Sequence, residues 1–505
     1  MRGGRGQAIV RHQRFEVIFV INDSSARTLR GRRSAGVFGW QRLPAFPISH
    51  LGGELAAIAL LTPMFLFVAV WNGFPFLFFD SGAYVLEGFA RVFVPERSPV
   101  YSLFIHYADG RESLWYVAII QSLLTAIAIV EFARAVWPRT SLWLMLRAGA
   151  ALSILTSISW FVGQIEPDCF TAVLILAMYP LAFKPQQLGV VRAILLIVVG
   201  GIAIGTHPSH LGTSSGLVLC LFAAWIAALI WKRLRLPRPN VVLPAAMVAA
   251  GLSLVLLANH SIALHNKGLP DKWFVSRSGS FFLAARLMGD GVVKKTLYDL
   301  CPTHPLLLCP YKDNLPKTAD NFLWGPESPF NKIGRFYGPK EEYDLIVSHS
   351  LTHYPLQSLM PGLLGSLRQY FMVRTGDGVE PQEWVLGPLF RGFMPAQYKD
   401  YLTAHQQRGT LRFPAVNVVH VPLALLAQLW LGWVLYRAIK RRRWNLGTLP
   451  AFVLLGLLGN AMVCGLFSGP HDRYQSRVAW VPCLIVLLTA RQSVERALRR
   501  PNLTA

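Results

Sequence analysis

The chain is poor in charge, and above all in negative charge. Only 15% of its 505 residues are Asp, Glu, Lys or Arg, and 26 acids face 49 bases. A soluble globular protein of this length carries roughly a quarter charged residues, so a water-soluble single-layer surface is excluded. No P-loop, dinucleotide fingerprint, zinc-finger spacing or Gly-x-Ser-x-Gly elbow stands in a suitable context, which argues against ATP-driven and redox roles. There is no internal repeat of the kind that builds inverted-symmetry transporters. Cysteine is sparse, with six in all. Cys169, Cys220, Cys464 and Cys483 lie in or beside apolar runs and read as small packing residues.

What is abundant is long apolar sequence. Hydrophobic residues make up 53% of the chain and the mean hydropathy is +0.40. Runs of about 18 to 20 apolar residues cross a bilayer core as helices. The pattern predicts an all-α polytopic membrane protein with about ten transmembrane helices, at Leu55–Phe74, Leu114–Phe132, Leu142–Val162, Cys169–Phe183, Val191–Gly205, Leu211–Trp231, Val241–Ala258, Val416–Leu435, Leu449–Phe467 and Val478–Ala490. The fourth, fifth and tenth are short for a span.

The net charge of +23 then reads as topology, not as nucleic-acid binding. With the N-terminus inside, Arg134 and Arg139, then Lys184 and Arg192, then Lys232, Arg233, Arg235 and Arg238, then Arg437 and Lys440 to Arg443, and finally Arg491, Arg496, Arg499 and Arg500 all fall on the cytoplasmic side. Basic residues concentrate there in multi-pass proteins. Residues 1–50 form a basic cytoplasmic tail, or extend upstream of the true start, and 491–505 form a second tail. Residues 51–258 hold helices one to seven, with a re-entrant or interfacial first outer loop at 75–113. Residues 259–412 form an extracytoplasmic insert of mixed helix and loop, large enough to fold as a unit, with helical stretches at Phe281–Met288 and Glu341–Ser348. Residues 413–490 hold the last three helices. In that insert Cys301 and Cys309 favour a disulfide over a zinc site with His304, which would lack ligands.

Four polar motifs fall on the outer side. Asp80 follows the first apolar run directly, where partial desolvation disfavours the charged carboxylate and suits it to general-base work; alternatively it caps an interfacial helix with Ser81. Tyr84, Arg97 and Tyr101 follow it. Glu166 and Asp168 flank Pro167, either as a second acidic element pointing into a cavity or as the first turn of the fourth helix. His207 and His210 are placed to hold a phosphate or metal, or to form an ordinary polar turn. Arg473, Tyr474 and Arg477 precede the last helix, and Arg473 and Arg477 share a helical face. Arginine forks match phosphate oxygens, with snorkelling as the alternative.

Asp80 just after the first helix, Tyr84 four residues on, and the Pro99-Val100-Tyr101 stretch leading to the second helix resemble the glycosyltransferase C superfamily, which includes lipid A aminoarabinose transferases and protein O-mannosyltransferases. Many members carry paired acids where this chain has Asp80-Ser81. The resemblance implies a bacterial inner-membrane enzyme that moves a sugar from a polyprenyl-phosphate donor to an envelope acceptor. Asp80 would activate the acceptor, Arg473 would meet the phosphate, and a divalent metal is an open option. Two other classes are carried beside it. One is a lipid-linked glycan ligase of the O-antigen ligase type, working through His304, His349, His353 or His405. The other is a non-enzymatic envelope transporter or assembly protein with a polar path through the bilayer.

Overall fold

The structure is a computed structural model, and it describes residues 50–109, 112–266 and 273–489. The N-terminal tail expected at 1–50, apart from His50, and the C-terminal tail at 491–505 lie outside the described residues. Among those described there is no strand, only one isolated bridge between Phe76 and Gln164. Seven helices are long and apolar enough to cross a membrane: Leu51–Asn72, Leu114–Val136, Pro185–Gly205, Pro208–Ile230, Val242–His265, Phe413–Lys440 and Trp444–Phe467. The remaining three expected spans differ in instructive ways. Leu142–Leu155 is a shorter apolar helix that breaks at Thr156, and a separate turn of helix follows at Ile158–Val162. The break is satisfied at long range, since Ser157 Oγ donates to the Ser476 carbonyl at 2.6 Å. The last segment is helical from 481 to 489, where the described residues end.

Phe170–Phe183 is short because it lies at the centre of the bundle. Every residue from Phe170 to Ala182 is buried, as expected of a helix that is apolar all round. In Pro185–Gly205 the backbone breaks at Gly189, where φ is 67°. Only glycine adopts that left-handed geometry without steric cost, and the straight part of the helix begins after it.

One end of the bundle is tied by a buried charge network. Arg134 approaches Glu54 and Glu131 at 3.4 and 3.3 Å, and Arg192 pairs with both acids. Glu131 is thus an ion-pair partner of both arginines. The other end carries the first loop and the insert. In the first loop Phe79–Ala90 and Pro99–Asp109 form an antiparallel helical hairpin packed on the core. Their contact is so close that a Cβ on Gly88 would sit 2.5 Å from the Ser102 carbonyl oxygen. Glu87 is buried in that seam and accepts bonds from Ser102 Oγ and the Val94 amide. Burial outweighs those two bonds and pushes its carboxyl up to about 8.

The insert is two structures in series. Gly279–Gly289, Val292–Leu300 and Lys340–His353 enclose their own core of Phe281, Leu297, Phe322, Phe330 and Tyr343. Glu383–Phe393 and Tyr398–Thr403 instead join the main core, where Phe390 and Tyr401 meet Phe74 edge-on. Cys301 and Cys309 form a disulfide. It closes a loop of sequence separation 8, for which chain entropy gives about 2–3 kcal/mol. Replacing both cysteines with serine is expected to lower the thermal midpoint of the insert, and reductant should reproduce that fall in the parent chain. A parent chain indifferent to reductant would contradict this.

Candidate functional site

The site begins with the chain leaving the first helix. Gly73 takes a left-handed φ of 87°, and residues 74–78 run extended beside the turn after Ile158–Val162. The Phe76 amide donates to the Gly163 carbonyl and the Ile165 amide donates to the Phe76 carbonyl, both at 2.9 Å. This pairing brings two sequence motifs together. Ser81 then closes the junction: its hydroxyl accepts from the Phe78 amide at 2.9 Å, capping the next helix, and lies 2.8 Å from the Ile165 carbonyl and 3.1 Å from Glu166 Oε1. Asp80 opens that helix as the first-turn acid.

Six charged residues converge here. Asp80 Oδ1 pairs with Arg97, and Asp80 Oδ2 lies 3.3 Å from Arg473. Asp168 Oδ1 accepts from Arg477 at 2.6 Å. Arg477 is fully buried and also donates to Asn460 Oδ1 at 2.8 Å and Ser209 Oγ at 3.1 Å. Glu166 is buried beside them. Burial, reinforced by Asp80 and Asp168 and opposed by Arg473 and Arg97, holds its carboxyl well above the usual range. The Ser81 hydroxyl sits between the Ile165 carbonyl and Glu166 Oε1 and is the donor on that side. Three guanidiniums therefore face three carboxyl groups, of which Asp80 and Asp168 make the ion pairs. The cluster also holds unused donors. Arg97 Nε, Arg473 Nη1 and Arg477 Nε are buried without a hydrogen-bond partner, and leaving such groups unpaired costs free energy that an anion would recover.

Arg473 sits 4.0 Å over the Phe78 ring, and Tyr474 stands between the guanidiniums of Arg473 and Arg477 at 5.1 and 5.5 Å. The Arg473 amide donates to Asp377 at 3.2 Å. Asp377 lies in a tight turn between Gly376 and Gly378, both with positive φ. His471 is held beside it, 3.8 Å from Asp377 and 3.5 Å from Asp320 of the insert. Its bond to Asp320, then the charge of Asp377, raise its imidazole above the ordinary value. The sign follows from that direction. The protonated ring stabilises the fold fully below the ordinary imidazole value of about 6.5, and the contribution is lost as pH rises through the raised value. His471→Gln is therefore expected to lower thermal stability at about pH 5 and to leave it nearly unchanged at about pH 8. An equal loss at both pH values would refute the assignment.

The other sequence candidates fall at the rim or outside. Tyr84 is buried against Tyr101, ring centroids 4.9 Å apart, with Arg97 5.7 Å from its ring. Tyr101 turns away and donates to Gln121. His207 is half-buried and caps the Pro208–Ile230 helix, accepting from the Ser209 amide at 3.1 Å. His210 is not part of the cluster: it is buried, with Thr171 Oγ1 at 2.6 Å on one nitrogen and the Ala203 carbonyl at 2.8 Å on the other. Among the described residues no group of three His, Cys, Asp or Glu side chains is placed to hold a metal ion; guanidiniums occupy the places beside the acids. Phe78, Asp377 and Asn460 are site residues that the sequence alone does not single out, while Ser81 takes the capping role expected beside Asp80. Asn460, a lone polar residue deep in an apolar run, was the strongest available signal.

Two openings flank the cluster. An apolar groove of about 770 Å³, mouth included, lies between Leu51–Asn72, Leu142–Leu155 and Phe413–Lys440, lined by Phe67, Trp71, Ile154, Trp160, Val419 and His420. It connects to the site's surroundings through Trp160, stacked on Phe76 at 5.2 Å, and His420, which bonds Thr375 Oγ1 at 3.0 Å. A smaller recess lies on the other side of Arg97, bounded by Glu96, Pro208, Asn259 and Ser276. Comparison with protein families, with curated proteins and with solved structures finds no match.

Proposed function

We propose that this chain is an integral membrane glycosyltransferase that moves a sugar from a polyprenyl-phosphate donor to an acceptor hydroxyl at the extracytoplasmic face of a bacterial inner membrane. In this reading ten helices cross, both termini are cytoplasmic, and the disulfide-bearing insert lies outside. The observation that carries it is a cluster of three arginines with three buried, unpartnered N–H groups, near an apolar groove between helices. A lipid tail in the groove would bring its phosphate towards a site with three guanidiniums and three free N–H donors.

Chemically, the acceptor oxygen forms a bond to the anomeric carbon, the bond from that carbon to the phosphate oxygen breaks, and the phosphate leaves with increased negative charge. Arg473, with Nη1 already free, turns from Asp80 to that phosphate, where charge develops. Asp80 Oδ2 is then released to take the acceptor proton. Trp384, which packs edge-on against Phe79 at 5.7 Å and is largely exposed, offers an aromatic face for the acceptor beside Asp80.

The histidines of the ligase alternative lie apart from the cluster. His349 bonds Asp299, His405 stacks on Trp71, and His304 bonds its neighbour Thr303, which favours the transferase. A transporter calls for ionisable residues along the helices, whereas the buried charges gather at the two ends. The test is donor binding. Arg473→Gln is expected to lose retention of polyprenyl phosphate by purified protein in nanodiscs at least about tenfold, since charge-assisted bonds of this kind contribute about 1.5–3 kcal/mol each. Undiminished binding would remove Arg473 from the phosphate site.

A further inference from the structure

The helix Pro355–Phe371 is at odds with a water-facing insert. Its inner face is made of small and polar residues, Ser358, Gly362, Ser366 and Gln369, all buried. This face packs on the spanning helix Trp444–Phe467. A Cβ on Gly362 would lie 3.0 Å from the Leu466 side chain, and Gly465 faces the Ser366 backbone at 2.5 Å on the same measure. Small residues on both partners let the backbones approach, the usual basis of helix association inside bilayers.

Its outer face is different. Leu356, Met360, Leu363, Leu364, Leu367 and Phe371 are all exposed, at 39–75%. In water such a continuous patch would be a liability on a monomer.

Depth decides between water and lipid. Gly362 lies against Leu466, and Ser366 reaches the Met462 carbonyl at 3.5 Å. The two helices therefore run antiparallel, and Pro355–Phe371 descends beside the span from its end towards its interior. The segment that follows is deeper than the rim as well. Thr375 bonds Asn417 and His420, one to two turns inside the Phe413–Lys440 helix. The chain then climbs back through Glu383–Phe393 to start that same helix at Phe413. It enters and leaves at one end of the bundle.

We propose that Pro355–Phe371 is a re-entrant helix immersed in the bilayer, its leucine, methionine and phenylalanine face covered by lipid acyl chains. The face continues the exposed Leu455, Leu458 and Met462 of the adjoining span, so one lipid-facing surface covers both. Arg368 is exposed on this helix. Helical side chains lean towards the N-terminus, which here is the outer end, so its guanidinium reaches back to the headgroup phosphates. The helix leads directly into the turn whose Asp377 holds the Arg473 amide. The bilayer thus presses on the element that forms one wall of the charge cluster.

The experiment uses the full chain in lipid vesicles. In a Cys220→Ser background, which removes the exposed free cysteine, Leu364→Cys and Leu367→Cys are labelled with bimane. Leu458→Cys on the span and Glu327→Cys on the insert are the references, and the unsubstituted background gives the blank. Both test positions are expected to be quenched by nitroxide-labelled lipid as strongly as Leu458→Cys, and to resist aqueous iodide. Quenching by iodide to the extent of Glu327→Cys would overturn the proposal. So would shielding from both quenchers together with Leu364→Cys disulfide crosslinks between copies, which would assign the face to a second chain. The substitutions sit on the exposed face and leave the Ser358–Gly362–Ser366 seam intact.

Discussion

With asparagine at position 80 the chain is expected to reach the membrane at the parental level, to keep its affinity for polyprenyl phosphate, and to lose sugar transfer by about 10²–10⁴-fold, the usual contribution of a positioned proton acceptor. Asp80→Asn keeps the shape of the side chain and an oxygen for one guanidinium. It removes the group that would take the acceptor proton and leaves Arg97 and Arg473 facing each other with less compensation. Asp80 keeps 16% of its side chain exposed, and an amide oxygen in its place still accepts from one guanidinium, so the fold should survive. The measurement is transfer from a labelled polyprenyl-phosphate sugar, with membrane abundance and donor retention followed in the same preparation. Full transfer activity would take Asp80 out of the chemistry. Loss of activity with loss of donor retention would recast it as an anchor for the two arginines.

The elements of this site differ in how far the sequence reveals them, and the difference is physical. Asp80, Arg97, Glu166, Asp168, Arg473 and Arg477 stand out because each is a charge next to an apolar run, where desolvation makes an idle charge expensive. Their partnership does not stand out. Nothing local tells Asp80 that Arg473 lies opposite, or Asp168 that Arg477 does, because those contacts join loops about 300 or more residues apart. His210 and Tyr101 show the converse. Their residue types invite a binding role, but the helical face each occupies turns them onto Thr171 and Gln121, and only packing fixes that face. The insert conceals most. Its disulfide and two of its helices follow from local pattern. The depth of Pro355–Phe371 does not, since a helix with a polar seam and an apolar outer face reads in sequence like any amphipathic helix on a soluble core. Its partner, the glycine-containing surface of Trp444–Phe467, reverses the sense of inside and outside.

Arg477 is expected to be the most costly single residue of the cluster to remove. Its side chain is inaccessible to solvent and that of Asp168 nearly so, and its bonds reach Asp168, Ser209, Asn460 and Cys464, on three different elements around the core. Arg477→Met strands the Asp168 carboxylate in a buried site. Breaking a buried pair by removing one partner costs about 3–5 kcal/mol, which should appear as a large fall in thermal midpoint and in recovery of folded protein from detergent. Asp168→Asn is expected to err in the same direction, since it leaves the guanidinium as the uncompensated charge. Removing both charges together separates architecture from chemistry. In Asp168→Leu with Arg477→Met no charge is left unpaired, and replacement of a buried ion pair by apolar side chains is often neutral, so stability should return. Transfer should not return with it, because the free Arg477 Nε is one of the three donors offered to the anion. A double variant that regains both stability and transfer would confine Arg477 to holding the helices together, and would leave the phosphate to Arg97 and Arg473.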